Sequence, residues 1–172
     1  MRSPIGLTTT AIVMVSTLVA GAFGQRGPAD TGPGTLAAAR KYLEGRWSLM
    51  SFEVFPPGGQ GLRVEGAGTL TYDAFGNLDV EIRVDEKTAL ALHDVGIPTT
   101  NGRLSTRGRT VVDMQARTLT YVLQGQPPLG APSGPLALNR PRHWHVEGNT
   151  LTLTTQDGNG QRLSVARWQK GP

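Results

Sequence analysis

Cysteine is absent from the 172 residues. No disulfide can staple the fold, no thiolate can act as a nucleophile, and lipid attachment through a cysteine is excluded. Aromatic residues make up only 6% of the chain and histidines number three, so an imidazole-built triad or metal centre has little to draw on. A Gly-x-Ser-x-Gly elbow, a phosphate-binding loop and a dinucleotide fingerprint are also missing, which argues against hydrolysis and nucleotide chemistry. Acidic charge is scarce in the second half, where residues 95–172 carry nine Lys/Arg against three Asp/Glu; residues 25–94 carry seven against ten. Arg103, Arg107, Arg109, Arg117, Arg140 and Arg142 are nevertheless dispersed, without the dense run or aromatic interleaving of a nucleic-acid groove. Nucleic acid is not an expected partner, and these arginines read as a solvated surface.

What is present begins with a leader. Arg2 precedes an uncharged stretch containing Ala11, Ile12, Val13, Met14, Val15, Leu18, Val19 and Ala20, and no further charge occurs until Arg26. That is the pattern of a secretory signal peptide over residues 1–24, with small residues at Ala22 and Gly24 and a cut before Gln25. A cut after Ala22 is the alternative, as is an uncleaved anchor, although Thr8, Thr9, Thr10, Ser16 and Thr17 dilute the apolar run. Export to the periplasm or the outside is expected, with the membrane met only transiently through the leader. Residues 25–34, rich in Gly and Pro, read as a flexible linker. Residues 35–172 are long enough for one core, and only one.

The body opens with Leu36, Ala39 and Leu43 on one helical stripe, followed by a stop at Gly45. Strand patterns then take over. Leu62, Val64, Leu70 and Tyr72 alternate with polar residues, as do Leu78, Val80, Ile82 and Val84, so each strand has one dry face. Asp73 to Asn77 forms the hairpin between them, and Gly66 and Gly68 imply a sharp bend. Further strands are expected at Arg46–Phe55, Thr110–Met114, Thr118–Leu123, Arg142–Glu147, Leu151–Thr155 and Leu163–Gln169, with another near Arg103–Arg107. Asp85 to Val95 reads as a short helix with an Asp cap. Gly125 to Pro141, with its prolines and glycines, reads as a loop at a barrel mouth. The expectation is all-β: eight or nine antiparallel strands closed into a barrel behind a short N-terminal helix.

Gly45-Arg46-Trp47 at the start of the first strand, the hairpin Gly68 to Gly76, the run Gly148 to Thr154 and the closing Arg167-Trp168-Gln169-Lys170 together resemble the lipocalin-like domains of the calycin superfamily. The resemblance spans Leu43 to Lys170. It implies a barrel plugged at one end by a tryptophan, with a basic residue of the last strand lying across the indole; Trp47 and Arg167 match those places. Strand parity puts Arg167 with Leu163 and Val165. A bulge would instead turn Trp168 inward and Arg167 out, with Lys170 as the substitute.

The dry interior supplies the candidate ligand-binding residues Phe52, Tyr72, Val80, Ile82, Leu119, Tyr121 and Trp144, where aromatics offer contact area and the two tyrosines a polar handle. The other reading of these residues is a filled core. His143 and His145 share one strand face with Glu147, a spacing that can chelate a metal. Trp144 and Val146 fit the dry face, however, which leaves the histidines in solvent, so neither a metal nor a cofactor is expected. His93 with Asp94, or Asp113 with Tyr121, are acid–base pairs without convergent geometry in the sequence, and no catalytic residue is assigned. The expected function is carriage of a small apolar or amphipathic ligand; an isomerase- or cyclase-type enzyme on the same scaffold and an envelope interaction module are the alternatives.

Overall fold

The computed structural model describes residues 36–123 and 134–171; the expected leader and linker lie outside these. Helix α1 (Leu36–Leu43) leads into strand β1 (Gly45–Val54). There follow β2 (Leu62–Arg63), β3 (Gly66–Tyr72), β4 (Asn77–Val84), helix α2 (Glu86–Asp94), β5 (Arg103–Asp113), β6 (Thr118–Val122), β7 (Arg142–Glu147), β8 (Thr150–Gln156) and β9 (Arg162–Lys170). Sequential antiparallel pairing runs from β3 to β9, and β1 pairs with both β3 and β9. The result is an eight-stranded closed barrel. The β1–β9 pairing joins the two ends of the sheet, and at eight strands the interior is wide enough only for side chains or one small ligand.

The ninth strand, β2, is the upper part of the bent strand expected over Leu62–Tyr72. It pairs with the end of β1 and turns into β3 at Gly66. A Cβ on Gly66 would collide with the carbonyl oxygen of Arg83 on β4, so only glycine permits the approach of these two backbones. The separate segments expected near Arg103–Arg107 and Thr110–Met114 are one continuous strand, β5, alternating exposed and half-buried residues along its whole length. In α2, Asp85 caps the helix by accepting from the Thr88 backbone N–H at 2.7 Å, as expected. Leu92 is fully buried there, but Leu90 faces solvent.

Strand parity changes at two bulges. On β1, Leu49 pairs with Trp168 and Ser51 with Arg167, which leaves Met50 as the extra, exposed residue. Trp47 and Leu49 face inward below that bulge; above it the buried residues become Phe52 and Val54. On β9, Leu163 is the extra residue opposite the Thr155–Gln156 step of β8. Ser164, Ala166 and Trp168 therefore point inward, and Arg167 is exposed. The placement of Arg167 across Trp47 is thus corrected: Lys170 takes it, with its Nζ 5.2 Å from the centre of the indole.

Trp47 is the plug. It is 0% exposed, and its Nε1 donates to the Leu43 carbonyl at 2.8 Å, fastening α1 across the closed end of the barrel. Gly45 belongs to the same arrangement. Its φ is +126°, and a Cβ would lie 3.0 Å from the Cε of Lys170. The glycine of Gly-x-Trp therefore serves two ends: it accepts a backbone conformation that other residues resist, and it leaves room for the lysine stem that crosses the ring.

Candidate ligand-binding site

Above the plug, the barrel interior opens into a cavity of about 450 Å³. Its floor and walls are inward residues of the strands: Phe52, Val80, Ile82, Leu153, Ala166 and Trp168. Its rim consists of two mouth segments, Gly96–Thr100 after α2 and Gly134–Leu138 before β7. The second segment is the described end of the expected mouth loop; residues 124–133 of that loop lie outside the described set. Between β6 and β7 the ladder is short, with only Thr118↔His143 and Leu119↔Arg142 in register. Beyond that point the Tyr121 N–H donates to the Leu138 carbonyl at 3.0 Å, so the rim segment replaces β7 as the partner of β6.

Of the seven residues expected to bind ligand, Phe52, Val80, Ile82 and Tyr121 line this cavity. Tyr72, Leu119 and Trp144 face the interior but do not line it. Leu119 and Trp144 each sit two residues nearer the plug than Tyr121 and Arg142 on the same strands, in the packed lower layer. Tyr72 lies under Tyr121, its hydroxyl 3.1 Å from the Tyr121 hydroxyl. Burial raises the pKa of both phenols. For Tyr72 the neighbouring Tyr121 adds to the rise and the charge of Arg142 opposes it; for Tyr121, Arg142 and the hydrogen bond to Tyr72 oppose it.

The residue that sequence reasoning missed is Arg142. It was grouped with the surface arginines, yet it is 7% exposed and lines the cavity. Its guanidinium carbon lies 4.1 Å from the centre of the Tyr121 ring. Nη1 donates to the carbonyls of Leu138 and Arg140 at 3.1 and 2.9 Å; Nη2 donates to those of Leu136 and Ala137, both at 3.3 Å. The side chain thus holds the rim segment in place. Burial lowers its pKa, but arginine stays protonated in proteins. The signal was available: Arg142 shares the parity of Trp144 and Val146, the face read as dry.

Beside Arg142, Thr155 and Ser164 are buried, and their hydroxyls hydrogen-bond at 2.6 Å. Trp168 is 2% exposed, and its Nε1 has no hydrogen-bond partner among the described residues, which is uncommon for a buried indole. The other chemical candidates do not converge. His93 and Asp94 are 4.0 Å apart and both exposed. Asp113 accepts from the Ala116 N–H in a turn. His143, His145 and Glu147 project outward as expected, and no group of three metal-ligating side chains occurs among the described residues.

No protein-family model matches this chain, and no curated protein matches it either. What the structure defines is therefore the architecture: a closed antiparallel eight-stranded barrel behind a short helix, the form shared by calycin-type binding folds.

Proposed function

We propose that the chain is an exported lipocalin-like protein that holds a small apolar or amphipathic molecule inside its barrel. The observation carrying this reading is the cavity of about 450 Å³, closed below by Trp47 and open above. Its size falls within the range of about 300–1,000 Å³ usual for small-molecule sites. A mostly apolar wall interrupted by a few polar groups gives such a site affinity from burial and orientation from hydrogen bonds. The order of the motifs from Gly45-Arg46-Trp47 to Arg167-Trp168-Gln169-Lys170 supports the lipocalin-like reading, and the leader pattern of residues 1–24 supports export to the periplasm or beyond.

Native mass spectrometry of the protein purified from its own source tests the proposal. The expected result is a non-covalent adduct of small mass that disappears on denaturation and can be replaced by an added apolar molecule. A bare protein that also takes up no added apolar molecule would count against carriage.

A further inference from the structure

Three inward residues on adjacent strands share one rung of the barrel. Arg142 on β7 pairs in register with Thr155 on β8, and Thr155 with Ser164 on β9. All three are buried and line the cavity near its mouth. Among the described residues the rung keeps two donors to offer, the Nε–H of Arg142, which the four carbonyls bound by Nη1 and Nη2 leave over, and one hydroxyl proton. When one hydroxyl of the Thr155–Ser164 pair donates to the other, the second keeps a proton for an acceptor, since no other hydrogen bond among the described residues engages either group.

Among the described residues nothing neutralises the charge on this rung. Among the described residues no carboxylate lies within ion-pair distance of Arg142. The cavity lining holds Arg142 and Arg103 but no Asp or Glu. Residues 124–133, outside the described set, contain no acidic residue. Four carbonyls satisfy donor directions of the guanidinium, and dipoles of that kind lower the cost of burying the ion, but they do not cancel a unit charge. Buried charges ordinarily have a counter-charge. Here the space in which one would fit is the cavity itself.

We propose that the Arg142–Thr155–Ser164 rung is the head-group subsite for an amphipathic monocarboxylate. Its carboxylate meets the rung near the mouth, and its apolar body lies below against Phe52, Ile82, Ala166 and Trp168. This deepens the reading of the barrel as a carrier and rests on it. Arg103, exposed at the rim, attracts the same charge during approach.

The test is a pair of calorimetric titrations with decanoate and decanol, which share a chain and differ in the head. They are run at about pH 8, where a carboxylic acid of ordinary pKa ~4 is ionised. Decanoate is expected to bind at least roughly tenfold more tightly than decanol, an advantage of the size given by one hydrogen-bonded charge pair. Arg142→Gln should bring the ratio of decanoate to decanol affinity, both measured on that variant, close to one. Because Arg142 also holds the rim, the double variant Thr155→Val with Ser164→Ala provides an independent reading, with a preference reduced several-fold. Equal affinity of the parent for acid and alcohol would overturn the subsite but leave the carrier reading standing. Binding of neither would overturn both.

Discussion

Replacing Trp47 with alanine removes the plug of the barrel, and the structure gives the size of the effect. The indole is 0% exposed, donates to the Leu43 carbonyl at 2.8 Å and lies under the Lys170 ammonium. Truncating a buried tryptophan costs roughly 3–5 kcal/mol. Total stability of a domain is roughly 5–15 kcal/mol, so this one side chain carries a large share of it. At this chain length each kcal/mol corresponds to about 2–4 °C, which predicts a fall in Tm of roughly 6–20 °C. Two companion variants locate the cation. Lys170→Met keeps the stem but removes the charge and should cost about 0.5–1 kcal/mol. Arg167→Ala, on the exposed face, should stay within about 0.5 kcal/mol of the parent. Thermal melts followed by near-ultraviolet circular dichroism measure all three. A larger loss from Arg167→Ala than from Lys170→Met, or a Trp47→Ala variant that melts like the parent, would refute the assignment.

Tyr72→Phe should cost about 1–3 kcal/mol at neutral pH, because it leaves the buried Tyr121 hydroxyl without its partner. It should also change the alkaline limb of the stability curve. Both phenols have raised pKa values in the fold, so above the ordinary tyrosine pKa of ~10 the unfolded chain loses protons that the folded chain keeps, and stability falls as pH rises. Chemical denaturation between neutral and alkaline pH should show a shallower decline for Tyr72→Phe than for the parent; an identical slope would argue against the buried pair. Gly45→Ala is expected to destabilise by about 1–3 kcal/mol from its positive φ, with crowding of the Lys170 stem adding to the loss, as read by urea denaturation. Sequencing of the protein recovered from an expressing bacterial culture should find Gln25 at the mature N-terminus; an intact Met1 form in the membrane would contradict export by cleavage.

The barrel was legible in the sequence where a single period governs a strand. Leu78, Val80, Ile82 and Val84 alternate without interruption, and β4 carries all four on its inner face. Alternation failed where a bulge intervenes, because a bulge is decided by the neighbouring strand and not by the residues that form it. Met50 and Leu163 each add one residue to a ladder, and the second of these turned Arg167 outward and brought Ser164, Ala166 and Trp168 into the cavity. Four of the seven expected ligand residues line the cavity because they occupy the upper layer of the interior. Height within a barrel depends on how strands are staggered, which periodicity does not encode, and so Leu119 and Trp144 were grouped with residues one step above them. Arg142 was missed for a different reason: its parity was correct, but a charge on a dry face was read as surface. The carbonyls of Leu136 to Arg140 that make its burial tolerable come from a segment without regular pattern.

A carrier needs a barrel interior that is a usable cavity and not a filled core. Titration of the parent and of Val80→Trp with the fluorescent apolar probe N-phenylnaphthylamine tests it most directly, since Val80 lines the cavity wall. Saturable one-to-one uptake is expected for the parent and none for Val80→Trp, with both proteins melting at similar temperatures because the indole enters empty space. Absence of uptake by the parent, together with a Val80→Trp variant destabilised by the overpacking strain of about 1–3 kcal/mol expected in a filled interior, would contradict it.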